Sequence, residues 1–197
     1  MGTSRRLTAR GQERRDEIIT YATRRFAENG FHPTSVAEIV DGVGVGKGVF
    51  YWYFSSKDDL LLEILRNALL DLRRHQRAAL EGAPDPLERL EHGIRASLAW
   101  SASSPDIMRL VMFGWTEENF AVALEKGRRI AIADTARHVA EAIDSGLIAP
   151  GDPTMLATAI RGVTDELARA YLPAAGDPID DAVIATAIRL CLSGLRG

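Results

Sequence analysis

Apolar side chains recur at three- and four-residue spacing through almost the whole chain, and no stretch alternates apolar with polar residues for long enough to read as a strand. That periodicity limits the fold to helices packed on helices. Between Glu13 and Glu28 the stripe is Ile18, Ile19, Ala22, Phe26 and Ala27, stopped by Asn29-Gly30. Pro33 breaks the chain, and Thr34 or Ser35 can cap a short second helix, with Glu38 placed three residues after Ser35 as a capping box requires. A third short helix is expected to start near Val45. A long fourth one follows Ser55-Ser56, with Leu60, Leu61, Ile64, Leu65, Ala68, Leu69 and Leu72 on one face. After the linker Gly82–Pro86 the punctuation divides the rest into helices near 86–103, 105–114, 117–145, 153–172 and 178–195.

With 197 residues and 46% hydrophobic content, the chain can bury a core as one domain or two small ones. Its single cysteine, Cys191, excludes an internal disulfide, and no apolar run is long enough to span a bilayer. With no hydrophobic signal segment, the expectation is a soluble, cytoplasmic protein without a membrane partner. The net charge of −3 is unevenly spread: residues 1–57 hold nine Lys and Arg against six Asp and Glu, which leaves fifteen against twenty-one for the remainder. A polyanion would therefore meet the N-terminal end.

Residues 42–54, GVGVGKGVFYWYF, pose the functional question, because a glycine-rich run can cradle a phosphate or turn a helix toward DNA. The P-loop pattern G-x-x-x-x-G-K-S/T fails: Asp41 stands where the first glycine belongs and Gly48 where the hydroxyl does. The dinucleotide pattern G-x-G-x-x-G fails too, since Lys47 or Val49 falls on its last glycine. Both also require a preceding strand, whereas Ser35 to Asp41 reads as a capped helix. Two short helices joined by a glycine turn make a helix-turn-helix instead, whose second helix can enter the major groove.

The run Thr34-x-x-x-x-Ile39, then Gly44-Val45-Gly46-Lys47-Gly48-Val49-Phe50-Tyr51-Trp52-Tyr53-Phe54, then Ser56-Lys57-Asp58-Asp59-Leu60, resembles the signature of the tetracycline-repressor (TetR) family. That pattern is roughly T-x-x-x-I-A-x-x-A-G-V-S-K-G-T-L-Y-x-Y-F-x-S-K-E-x-L, and the likeness spans about residues 12–65. It implies an all-α protein with a three-helix DNA-binding domain at residues 1–57, a connecting helix at 58–81, and a ligand-binding and dimerisation domain at 82–197. It implies a transcriptional regulator, most simply a repressor, that binds a palindromic double-stranded operator as a homodimer and is released by a small apolar effector. The alternative is a small-molecule-binding or interaction protein that recognises no specific operator.

The resemblance puts the DNA face at Thr34, Ser35, Val45, Gly46, Lys47, Gly48, Tyr51, Trp52, Tyr53 and Lys57. Lys47 and Lys57 can neutralise phosphates, Lys57 from the start of the fourth helix, or can be solvated lysines. Tyr51 and Tyr53 offer hydroxyls to phosphate oxygens, while Phe50 and Phe54 suit the core. Gly48 permits close approach to DNA or tight helix packing. Trp52 stands where a base can be read, or it covers the backbone. Gly46, Val43 and Val49 depart from the family pattern; the first and last of these remove hydroxyls that would contact the backbone. Arg5, Arg6 and Arg10 form an acid-free tail that can lie in a minor groove or stay disordered without DNA.

Nothing in the remainder forms an enzyme motif: H-E-x-x-H, C-x-x-C and G-x-S-x-G are absent, and His32, His75, His92 and His138 stand apart, so neither a metal site, a cofactor nor catalysis is expected. Glu117-Glu118 and Asp180-Asp181 suit helix starts. Trp100, Met108, Met112, Phe113, Trp115 and Phe120 can line an apolar ligand site or fill an ordinary core, with Arg109, Arg128 or Asp165 as polar selectors. The last two helices carry Ile160, Val163, Val183, Ile184, Ala187, Ile188 and Cys191 on broad apolar faces, which the resemblance makes a dimer seam.

Overall fold

The computed structural model describes residues 8–171 and 177–195. Among them are nine helices and no strand: α1 (Ala9–Asn29), α2 (Val36–Val43), α3 (Lys47–Tyr53), α4 (Lys57–Leu80), α5 (Pro86–Ser103), α6 (Pro105–Thr116), α7 (Glu118–Asp144), α8 (Pro153–Ala170) and α9 (Asp181–Ser193). The predicted order and number of helices hold, and the largest boundary shift is at α1, which begins earlier because Thr8 caps it by accepting from Gly11 N–H. Arg10 consequently sits in the first helical turn and not in an arm, while Arg5 and Arg6 lie outside the described residues.

Side-chain caps begin most of the other helices. Ser35 accepts from Glu38 N–H at 3.1 Å, Ser56 from Asp59 N–H at 3.0 Å, and Asp85 and Asp152 precede a proline at the first position of α5 and α8. Only half of the expected capping box forms, because the Glu38 carboxylate turns away to Arg25 on α1. The remaining cap candidate, Thr34, is fully buried and donates to the Gly30 carbonyl at 2.8 Å. Asp180 caps α9 as its position suggests, but Glu117 gives α7 no side-chain cap and reaches His32 instead.

Two apolar cores result. The first takes Ile18, Ala22 and Phe26 of α1, Ile39 and Val40 of α2, Phe50 of α3 and Leu60 to Leu65 of α4, then continues into the body through Leu110, Phe120 and Leu124. The second is built from α5, the C-terminal half of α7, α8 and α9. Packing therefore does not break at residue 57. The front half of α4 and the inner faces of α6 and α7 join the N-terminal helices to the body.

Candidate nucleic-acid interface and apolar cavity

The glycine run resolves into separate local tasks. Gly44 ends α2 in the left-handed conformation, φ 71°, and lets Val45 N–H reach the Val40 carbonyl at 2.9 Å, a turn that a β-branched residue would strain. At Gly42 a Cβ would lie 2.0 Å from the Tyr21 ring, so the closest approach of α2 to α1 requires its absence. Gly46 starts α3 without a side-chain cap, the expected consequence of its missing hydroxyl. Around Gly48 there is open space, which removes tight helix packing as its reason and leaves an unobstructed outer surface.

Phe50 on α3 and Phe54 just past its end point inward, at 0% and 2% exposure, and their burial turns the opposite side of α3 out. Lys47, Gly48, Tyr51 and Trp52 share that outer face, Tyr51 56% and Trp52 58% exposed. Large rings that face water so openly at neighbouring positions form a surface suited to phosphates and base edges. Ser35 is exposed at the start of α2, whereas Val45 and Tyr53 are half-buried against the first core, Tyr53 edge-on to Trp52 with centroids 4.6 Å apart.

Two expected contacts are corrected by their surroundings. The Thr34 hydroxyl is buried and donates inward, so it is not available to DNA. The Lys57 ammonium donates to three carbonyls, Phe31 at 2.7 Å, His32 at 3.1 Å and Thr34 at 2.9 Å, and sits 4.4 Å from the Phe31 ring centroid. Its three N–H donors are all committed, and desolvation by burial lowers its pKa despite Asp58 nearby. Lys57 braces the α1–α2 turn; nothing remains on it for a phosphate.

In the body a cavity of about 480 Å³ opens between α4, α5, α6, α7 and α8, within the size range of small-molecule sites. Four of the six expected aromatic and methionine residues line it: Trp100, Met108, Met112 and Trp115. Phe113 and Phe120 do not; they join Phe31 in an aromatic cluster with centroids 5.4 to 6.2 Å apart, because the α6–α7 corner faces the N-terminal helices. Of the polar candidates, Arg128 and Asp165 line the cavity, while Arg109 pairs with Asp106 on the surface at 2.7 Å. Sequence reasoning missed the α4 wall, Leu69, Leu72, Arg73 and Gln76, and the α8 arginines Arg161 and Arg169. The continued stripe of α4 past Leu72 was the available signal.

Helix α6 presents Met108, Met112 and Trp115 to the cavity and Ile107, Leu110 and Phe113 to the first core. At its C-terminal end His32 Nε2 lies 3.3 Å from Glu117 Oε1, a second link between the α1–α2 turn and the body. On α8 and α9 the expected seam residues are distributed differently. Ile160, Ile184, Ala187 and Cys191 are buried in the chain's own core, which pushes the Cys191 thiol up to about 11, and Val163, Val183 and Ile188 pack against its edge. The sides of these helices that face water carry Met155, 71% exposed, and Leu190, 57% exposed, among small residues such as Ala159 and Ala185. Among the described residues there is no cluster of His, Cys, Asp and Glu able to hold a metal, and no helix is long and apolar enough to cross a membrane.

Residues 18–64 match the family model of the bacterial regulatory proteins of the tetR family. The transcriptional repressor KstR2 of Mycobacterium tuberculosis is 36% identical over 92 residues, which are 47% of this chain and 46% of that protein. The chain thus spans about half the length of the curated relatives it matches. Over the whole fold it is similar to the fatty acid degradation regulator FadR of Bacillus halodurans, with a TM-score of 0.84, 20% identity and coverage of 98% of this chain and 99% of that one. It is also similar to AibR in complex with isovaleryl coenzyme A and operator DNA, with a TM-score of 0.74, 20% identity and coverage of 91% and 98%.

Proposed function

We propose that this chain, whose residues 18–64 belong to the tetR family of bacterial regulatory proteins, is a ligand-responsive transcriptional repressor that binds a palindromic operator as a homodimer. The observation that carries the reading is the outer face of α3, where Lys47, Gly48, Tyr51 and Trp52 stand exposed beside a glycine corner that seats the helix on the first core. Lys47 neutralises a phosphate, the Tyr51 hydroxyl donates to another, Gly48 lets the backbone come close, and Trp52 meets base edges or sugars in the major groove. The AibR complex with operator DNA and isovaleryl coenzyme A, which shares this fold, supports the pairing of a DNA face with a ligand cavity.

The exposed apolar faces of α8 and α9, with Met155, Leu190 and small residues between, suit a two-fold helix bundle. Such a dimer holds two α3 helices one turn of DNA apart, roughly 34 to 36 Å. An effector with an apolar body fills the cavity and shifts α4 and α6, whose other faces hold the first core, and so changes that spacing. Its effect on DNA equals its preference for the displaced arrangement; a hundredfold loss of operator affinity requires about 2.7 kcal/mol. Enrichment of fragmented genomic DNA on the purified protein tests the reading. One or a few palindromes are expected, and uniform recovery of fragments would favour a ligand-binding protein without an operator, which the uncapped start of α3 at Gly46 would then explain.

A further inference from the structure

Next to the large cavity lies a second, smaller one of about 70 Å³, bounded by α4, α5, α7 and α8, and the two share Gln76 and Arg161 in their walls. It has room for about two water-sized groups. Its wall is mostly apolar, as is that of the large cavity, but it includes the polar side chains of Arg89, Asp134, His138 and Arg161. Among the described residues four side-chain polar atoms are buried without a hydrogen-bond partner, and three of them belong to residues of this wall. Arg89 Nε, His138 Nδ1 and Arg161 Nε belong to wall residues, and Arg73 Nε belongs to the ion-pair partner of Asp134.

The pattern of pairing says what is missing. Each of the three arginines uses a terminal nitrogen on a carboxylate: Arg73 on Asp134 at 2.8 Å, Arg89 on Glu141, and Arg161 on Asp165 at 3.0 Å. The inner N–H of each remains a donor with nothing to donate to, and a guanidinium has no acceptor to offer in return. His138 Nδ1 is 3.9 Å from Glu141 Oε2, too far for a hydrogen bond, and burial lowers its pKa. Asp134 is shared between Arg73 and Arg137. Each of the three guanidiniums of Arg73, Arg89 and Arg161 is thus matched by one carboxylate, and two of those carboxylates, Glu141 and Asp165, are half exposed to water. What the surroundings lack is an acceptor for the inner N–H groups.

We propose that this annex holds the carboxylate of an amphipathic acid whose apolar body occupies the large cavity. The proposal rests on the reading of that cavity as the effector site and adds the chemical class of the effector. A carboxylate brings two acceptor oxygens and a single charge in a small volume, where a phosphate would bring more charge and bulk. The Trp100 and Trp115 rings in the cavity wall report occupancy.

The test is a fluorescence titration of the full chain with octanoate, decanoate and dodecanoate and with the methyl ester of each, repeated on Arg161→Gln and Arg89→Gln with circular dichroism as the check on folding. At least one acid should bind about tenfold tighter than its ester, the loss of one charge-assisted hydrogen bond being worth roughly that factor. Either folded variant should bring the acid down to the affinity of the ester while leaving the ester unchanged. If the variants do not fold, the acid-to-ester ratio of the wild type decides alone. Esters that bind as well as their acids, or an acid preference that survives both variants, overturn the annex and leave the cavity reading intact. Failure of every acid and ester to bind overturns both.

Discussion

The first core and the cavity region of the body use similar residues to opposite ends. The first is closed: Ile18, Ile39, Phe50, Leu60 and Leu61 are all at 0% exposure, and Gly42 and Gly114 exist where a Cβ would strike Tyr21 or Leu124. The body keeps about 480 Å³ open beside large side chains that could have filled it. A reader of DNA needs its helix held rigidly, and close packing supplies that. A sensor needs room and a wall that can move. Helix α6 belongs to both, one face in each environment, and so connects the open region to the closed one.

The sharpest way to break this contrast is to truncate one residue from each side of the α6–α7 corner. Phe120→Ala should cost about 3 to 5 kcal/mol in denaturant unfolding, as for a buried aromatic, whereas Met112→Ala at the cavity wall should cost under about 1.5 kcal/mol because part of its surface already faces open space. Equal losses would mean that the cavity is ordinary core. The two lysines separate next. Lys57→Ala should destabilise the fold by about 2 kcal/mol and leave the salt dependence of DNA binding unchanged, since three carbonyls lose a charged donor and no phosphate does. Lys47→Ala should leave stability within about 0.5 kcal/mol and reduce the slope of log affinity against log salt by about 1.

A smaller effect distinguishes the glycines. Gly42→Ala should destabilise by about 1 to 3 kcal/mol as Tyr21 is displaced, while Gly48→Ala, in open space on a helix, should stabilise by about 0.5 to 1 kcal/mol and yet weaken operator binding. Improved or unchanged DNA affinity in Gly48→Ala would show that α3 does not approach DNA closely there. The smallest effect is in pH. Because burial lowers the pKa of His138 below its ordinary 6.5, the unfolded chain binds more protons in the window just under that value. Stability should therefore decline as pH falls from about 6.5 toward the lowered pKa, and His138→Gln should flatten that part of the profile.

Helix order was legible because each helix carries its own stripe and its own punctuation: Ser35, Ser56, Asp85, Asp152 and Asp180 all cap where local chemistry suggests. The outer face of α3 was legible for the same reason, since Phe50 and Phe54 fix which side turns in. What could not be read depends on contacts distant in sequence. Lys57 looked free until the Phe31–Thr34 turn, more than twenty residues earlier, was seen to surround it. Trp115 and Phe113 are indistinguishable by composition, yet two positions along α6 separate the cavity from the core. Ile184 and Cys191 read as a broad free face only while α5 and α8 were not yet packed against α9.

Operator affinity measured with and without a ligand that fluorescence places beside Trp100 and Trp115 tests the link between the two regions most directly. The account predicts a ligand that binds free protein about a hundredfold more tightly than operator-bound protein, with an equal loss of DNA affinity when the cavity is full. A ligand that occupies the cavity and leaves operator affinity the same would contradict it.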